Sequence, residues 1–328
     1  MTEPMISIDK LSKRYGDFAA VSELDLTIYR GEVFGLLGPN GAGKSTTILV
    51  LLGLTEASAG KVSVCGFDPT LQAIEVKRRV GYLPDDVGFY ENRSGLENLV
   101  FTGRLNSIPK REARRRALEL LEQVGLSSDA DKRAGTYSRG MRQRLGLADV
   151  LIKSPSVIIL DEPTLGIDPQ GVREFLELIV RLSKEQGITV LLSSHQLHQV
   201  QQICDRVGLF VSGKLIAQGD IDTLSASLFA AEPFVVEAGI VPAGGSLLSV
   251  QSEPVSLGET LRGIDGVASV GFADGVFRVG CVRDISPAIA RAVIDAGYGL
   301  THLQKKRHGL DEIYHRYFEG GVSYGKTA

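Results

Sequence analysis

Cysteine is scarce in this 328-residue chain: Cys65, Cys204 and Cys281 are the whole set, at unpaired spacings. An odd, scattered set excludes a disulfide framework and a cysteine-based zinc site, and it fits a reducing compartment. Charge of one sign is not in excess. The 36 Lys and Arg stand against 39 Asp and Glu, for a formal net charge of −3, which argues against a chain built to coat nucleic acid. Long apolar runs are missing too. The densest, Ile48 to Leu54, falls far short of the ~18 residues that a membrane span needs, so any spans would belong to another chain. The opening Met1-Thr2-Glu3-Pro4 carries neither the basic nor the apolar region of a signal peptide. The expected location is therefore the cytoplasm.

What is present is ordinary globular composition, 43% hydrophobic and 23% charged, and a length that suits about two domains. Met5–Ile8 and Leu24–Ile28 alternate loosely as strands, and Glu32 to Leu37 is a short apolar run that suits a buried one. A Gly-rich turn and an apolar helix, Ser45 to Leu54, follow. Residues 90–153 lack buried-strand runs. From Pro109 to Val124, Ala113, Ala117, Leu120, Leu121 and Val124 make one apolar stripe, and Arg111, Arg114, Arg115 and Arg116 fall off it as a solvated face. Strand runs resume at Val157–Leu160, Thr189–Leu192 and Val207–Val211, with a helix over Val172 to Glu185. Apolar strands alternating with helices indicate a mainly parallel sheet covered on both faces.

After about Thr223 the texture changes. A strand at Phe234–Glu237, a hairpin turned at Asp274-Gly275 and a helix from Pro287 to Ala296 suit a small βαββαβ unit. The expected division is 1–222, with a helical subdomain at about 90–153, and 223–328 as an accessory α+β domain. The fold class is α/β: a core with a mainly parallel sheet, an inserted helical subdomain and a small α+β C-terminal domain.

Two motifs carry chemistry. Gly38-Pro39-Asn40-Gly41-Ala42-Gly43-Lys44-Ser45, followed by Thr46, fits G-x-x-x-x-G-K-[ST] between a strand and a helix. Glycines let backbone N–H groups converge on phosphate oxygens, and the helix start adds its positive end. Lys44 supplies charge to the β- and γ-phosphates and Ser45 a hydroxyl to Mg²⁺. In Val157-Ile158-Ile159-Leu160-Asp161-Glu162 two carboxylates emerge at the end of a buried strand, where ligands sit in open α/β sheets. Asp161 can hold Mg²⁺, and Glu162 can polarise the attacking water.

Tyr137-Ser138-Arg139-Gly140-Met141-Arg142-Gln143-Arg144, just before the acidic strand, resembles the signature of the ABC ATPase family, whose usual form is Leu-Ser-Gly-Gly-Gln. The order of the other motifs agrees over about residues 5–220. Tyr15 resembles the aromatic that stacks on adenine, Gly81-Tyr82-Leu83-Pro84 the start of the Q-loop, Leu165-Gly166-Ile167-Asp168 the D-loop and His195 the switch histidine. The Leu-Pro-acid Q-loop and the appended C-terminal region resemble ATPase subunits of bacterial multidrug and antibiotic exporters.

The resemblance implies a subunit that binds ATP and Mg²⁺ and powers a separate transmembrane permease from the cytoplasmic face of the membrane. It implies a head-to-tail homodimer in which Ser138 and Gly140 of one chain complete the partner's nucleotide site, with His195 at the γ-phosphate. Three positions depart from the pattern. Asp85 stands where glutamine is usual, to serve either as a metal ligand or as a solvated loop acid that caps a neighbouring turn. Arg139 replaces the first signature glycine, to contact phosphate or point outward, and Met141 replaces the signature glutamine. A soluble ABC ATPase acting on ribosomes or DNA is the rival reading, weakened by a single phosphate loop and no heptad insertion. A regulatory nucleotide-binding module is a second rival, weakened by Glu162 and His195.

Overall fold

The computed structural model describes residues 3–228, 234–242 and 253–306. The chain divides into two units, Met1–Asp220 and Ile221–Ala328. The first runs β1 (Pro4–Tyr15), β2 (Phe18–Tyr29), β3 (Val33–Leu37), α1 (Lys44–Leu51), β4 (Ala59–Val64), α2 (Ala73–Arg79), β5 (Val80–Leu83), α3 (Gly95–Leu105), α4 (Lys110–Gln123), α5 (Arg139–Leu151), β6 (Val157–Asp161), α6 (Pro169–Gln186), β7 (Thr189–Ser194), α7 (Leu197–Gln201), β8 (Arg206–Val211) and β9 (Lys214–Gly219). The second runs α8 (Ile221–Leu228), β10 (Phe234–Pro242), α9 (Val255–Arg262), β11 (Val267–Ala273), β12 (Val276–Cys281), α10 (Ser286–Asp295) and β13 (Tyr298–Lys306).

A six-stranded sheet of order β5-β6-β7-β3-β8-β9 organises the first unit. It is parallel from β5 to β8, and β9 closes one edge antiparallel. Every residue of β3, β6 and β7 is buried, which is why these strands are continuous apolar runs rather than alternating ones. Their register sets Leu36 beside Ser193 and Ser193 beside Asp161. The carboxyl ends of β3, β7 and β6 therefore meet at one place, the usual ligand position of an open α/β sheet.

The loosely alternating strands near the start form a separate antiparallel sheet, β2-β1-β4. Helix α1 stops at Leu51, three residues before its expected end. A Schellman turn closes it: Leu54 N–H donates to Leu49 C=O (2.9 Å) and Gly53 N–H to Val50 C=O (3.0 Å). In the helical region, a capping box starts α3: Ser94 Oγ accepts from Glu97 N–H (3.1 Å), and the Glu97 carboxylate accepts from Ser94 N–H (2.9 Å). On α4 the basic run is balanced by its own helix, with Arg115 paired to Glu112 and Glu119, and Arg116 to Glu112.

In the second unit the sheet order is β11-β12-β10-β13, all antiparallel, with α9 and α10 as the crossovers. This is a split βαβ arrangement. Its core gathers Val236, Ala238, Ile240, Leu257, Leu261, Phe277, Val279 and Ile289, and Asp274-Gly275 turns the β11–β12 hairpin. Near its end Lys305 pairs with Asp284 (2.9 Å) and lies over the Phe234 ring. Among the described residues no helix is long and apolar enough to cross a membrane.

Candidate nucleotide site

The loop from Gly38 to Ser45 joins β3 to α1. Gly43 caps α1 with φ 107°, and a Cβ there would come within 2.4 Å of the Ala20 carbonyl oxygen and 2.7 Å of the Phe210 ring. Backbone angle and crowding both require glycine. Lys44 follows, 5% exposed. Its Nζ donates to the carbonyls of Gly38 (2.6 Å) and Pro39 (3.3 Å) and lies 3.6 Å from Glu162 Oε1. No acidic residue occupies the first turn of α1, so the helix end and the ammonium together make a positive pole.

The acidic side is built at the ends of β6 and β7. Asp161 is buried and accepts a hydrogen bond from Ser193 Oγ. Glu162 turns the chain sharply, at φ 47°, and its N–H is held by the Ser193 carbonyl (3.2 Å) and Oγ (3.2 Å). Such a left-handed non-glycine residue persists only where its surroundings hold it. Glu162 Oε2 lies 2.9 Å from His195 Nδ1 and accepts from His195 N–H at 3.4 Å, while Oε1 is buried without a hydrogen bond. One carboxylate thus sits between Lys44 and His195 with an acceptor oxygen to spare.

A cleft of about 560 Å³ opens over the loop, lined by residues 39–46 with Phe18, Ala20, Leu49, Tyr82, Asp85, Asp161 and Glu162. Ser45, Asp161 and Asp85 all face it. Burial, and then the charges of Asp161 and Asp85, push the Tyr82 phenol up to about 12. Asp85 also accepts from Asp86 N–H (2.8 Å), and its main-chain oxygen accepts from Gln143 Nε2 (3.2 Å). Among the described residues no group of three His, Cys, Asp or Glu side chains could hold a metal. The Ser45 hydroxyl and the Asp161 and Asp85 carboxylates, lining one cleft, suit instead a hard cation bound by one or two carboxylates and phosphate oxygens, as Mg²⁺ is.

Not every sequence candidate joins the cleft. Tyr15 does not line it. Its ring lies under the Lys13 ammonium at 4.8 Å, and the aromatic that the β1–β2 hairpin gives to the wall is Phe18, its partner across that hairpin. Phe18 was not legible as a site residue, although an exposed aromatic shortly before a phosphate loop was a usable signal. Ser193 was also missed as the clasp of Asp161 and Glu162. Ser138 caps α5, its Oγ accepting from Met141 N–H (3.3 Å). Neither Ser138 nor Gly140 lines the cleft of its own chain. Arg139, expected to contact phosphate or point outward, is exposed and donates from Nε to the Leu165 carbonyl.

Comparison with known proteins settles the family. The daunorubicin resistance ATP-binding protein DrrA3 of Streptomyces coeruleorubidus is 37% identical over 316 residues, covering 96% of each chain, and residues 21–165 match the family described as ABC transporter. The chain belongs to the ABC transporter ATP-binding proteins. It is an ATPase of that family. The bacitracin transport ATP-binding protein BcrA of Bacillus licheniformis is 40% identical over 220 residues, 67% of this chain and 71% of that one. Among solved structures, cbiO1 of Clostridium perfringens, part of the ABC transporter complex cbiONQ, is 31% identical over 70% of this chain and 91% of that one, with a TM-score of 0.63. The α/β fold of the cassette and the ATPase assignment stand on these likenesses.

Proposed function

We propose that this chain is the ATP-hydrolysing subunit of an exporter of antibiotic-like compounds. It works as a head-to-tail homodimer on a separate transmembrane permease, at the cytoplasmic face of the membrane, without a nucleic-acid partner. Cassettes of the family form dimers and act with membrane subunits. The relatives' names, daunorubicin resistance and bacitracin transport, support the class of cargo. The observation that carries the reading is that Lys44, Asp161 and Glu162 line one cleft over the phosphate loop, with His195 outside its lining and bonded to Glu162.

In this reading the loop amides from Gly38 to Thr46 and the Lys44 ammonium bind the β- and γ-phosphates. Glu162 accepts the proton of the attacking water, and His195 orients Glu162 and reaches the γ-phosphate. Ser45 and Asp161, with Asp85 beside them, hold Mg²⁺. When bound, the ion neutralises phosphate charge that builds up during transfer. Tyr15 and Phe18 form an aromatic edge for adenine. Ser138 and Gly140, absent from the cleft of their own chain, offer a helix N-terminus to the partner's nucleotide. That separation supports the dimer, because each chain carries one phosphate loop and one such helix end. Residues 223–328 serve the dimer or its contact with the permease.

Glu162→Gln tests the reading. Phosphate release should fall by about 10²–10⁴-fold with ATP still bound, and gel filtration with ATP should show a dimer. Wild-type turnover in this variant would remove Glu162 from the chemistry, and a monomer would remove the ATP-bridged dimer.

A further inference from the structure

The signature helix of this chain starts with an arginine where its family usually has glycine, and that arginine has a definite partner. Arg139 is the first residue of α5, directly after the capping Ser138. Its Nε donates to the carbonyl of Leu165, 26 residues away in sequence. The side chain lies flat over Gly166. A Cβ at Gly166 would come within 2.8 Å of both Arg139 Cδ and Nε, and the φ of Gly166 is 73°. The next signature residue, Gly140, faces the same loop, since a Cβ there would meet Ile167 Cγ2 at 3.5 Å.

Residues 162–168 form a short, self-bonded loop. Leu165 N–H donates to Glu162 C=O (3.2 Å), Ile167 N–H donates to Thr164 C=O (3.3 Å), and Asp168 caps α6 through Gly171 N–H (3.0 Å). The residue that Arg139 grips is therefore one turn from Glu162. Two further arginines of α5 anchor the helix elsewhere: Arg142 bonds to Gly135 C=O (3.3 Å) and Glu91 (3.4 Å), and Arg144 bonds to Val124 C=O (3.2 Å) and Glu174. Arg139 alone of the three reaches the loop that carries Glu162.

We infer that Arg139 is a positioning residue that ties the signature end of α5 to the Glu162 loop of the same chain. This rests on the head-to-tail dimer proposed above. There, Glu162 serves the nucleotide of its own chain, whereas Ser138 and Gly140 serve the partner's. A strut between them makes the arrangement at one nucleotide depend on occupancy of the other, which is a coupling free energy between two sites. The strut is a charge-assisted hydrogen bond from an exposed side chain, so its removal leaves the core untouched.

The experiment compares wild type with Arg139→Ala, Arg139→Gln and Arg139→Lys in full-length protein, reading phosphate release against ATP concentration and the ATP affinity of the isolated monomer. Arg139→Ala should lower kcat about tenfold, the size of one charge-assisted hydrogen bond. The Hill coefficient should fall from above 1 towards 1, and monomer affinity should stay unchanged. Arg139→Gln and Arg139→Lys, which keep a donor for the Leu165 carbonyl, should each recover much of both losses. Wild-type kcat and Hill coefficient in Arg139→Ala overturn the inference. So does recovery by Lys with none by Gln, because charge alone would then be acting, as in a direct phosphate contact. The dimer is tested apart, by gel filtration of Glu162→Gln with ATP. If that variant dimerises and Arg139→Ala behaves as wild type, only the strut fails; if it stays monomeric, the dimer and the strut fail together.

Discussion

Lys44 and Glu162 face each other at the mouth of the phosphate loop, with Nζ 3.6 Å from Oε1 and side chains only 6% and 15% exposed. The pair explains how a carboxylate can stand beside a site for polyphosphate. Unopposed, its charge would repel the ligand at close range. Lys44 offsets that charge while keeping its other bonds on the Gly38 and Pro39 carbonyls, which fixes the ammonium where phosphate oxygens arrive.

Lys44→Ala removes both effects at once. MgATP affinity should fall by at least about 100-fold, because truncating one partner of a buried charge pair costs several kcal/mol. Isothermal titration measures it directly. Unchanged affinity would take Lys44 out of the nucleotide site.

How much of this was legible beforehand depends on how local each feature is. Gly38–Ser45 and Asp161-Glu162 lie in unbroken stretches, each after a buried apolar strand, so both the residues and their place in the fold could be read. β4 and β9 lie in no such run, because both are edge strands with largely accessible side chains. Ser193 reaches Asp161 only through the register of β6 on β7, and Phe18 enters the cleft through a hairpin that faces it opposite Tyr15. Arg139 could be seen as a departure, but its partner is set by tertiary packing. The motifs were readable, and the contacts between them were not.

Asp149, on α5, is expected to weaken the fold near neutral pH. Burial pushes its carboxyl up to about 6, against the opposing pull of the Thr102 hydrogen bond and the Lys153 ammonium. Its Oδ1 is buried with no hydrogen-bond partner. A carboxyl held above its ordinary 3.8 binds its proton more tightly when folded. Its favourable contribution is therefore present at low pH and lost as pH rises from about 4 through 6. Asp149→Asn keeps the shape and removes the ionisation. The variant should gain about 1–3 kcal/mol over wild type at pH 8 relative to pH 4. Urea unfolding at the two pH values measures this, and a pH-independent difference would refute the assignment.

A chain ending at Asp220 should fold and bind ATP within about threefold of the full chain. The cleft draws its walls from residues between Phe18 and Glu162, and the second unit gathers an apolar core of its own. Thermal melting checks folding and titration checks binding. A folded fragment that fails to bind ATP would place part of the site beyond Asp220.

Asp85 gives the sharpest test of the metal. It lines the same cleft as Asp161, and the charges of both bear on the Tyr82 phenol, which stands at about 12 with burial as the larger cause. Two carboxylates facing one cleft repel each other and a phosphate, and a hard divalent cation reverses both effects. Nucleotide binding should therefore depend strongly on Mg²⁺. Asp85→Asn keeps the size and removes one charge. The ratio of ATP affinities with and without Mg²⁺ should shrink by about tenfold, the scale of one charge at close range in a partly screened site. Tyr82 should respond independently of nucleotide. With one neighbouring anion gone its phenol should titrate below about 12, and remaining burial should keep it above its ordinary 10.0. Resolving Tyr82 by NMR, with Tyr82→Phe to assign the signal, separates the two readouts. Asp85→Gln, which restores the amide usual in the family, should hydrolyse ATP with a weaker Mg²⁺ dependence than wild type. If Asp85→Asn shifts Tyr82 but leaves the Mg²⁺ dependence as it was, the carboxylate lies near the site without serving the metal. Its part would then be the turn it makes with Asp86 N–H.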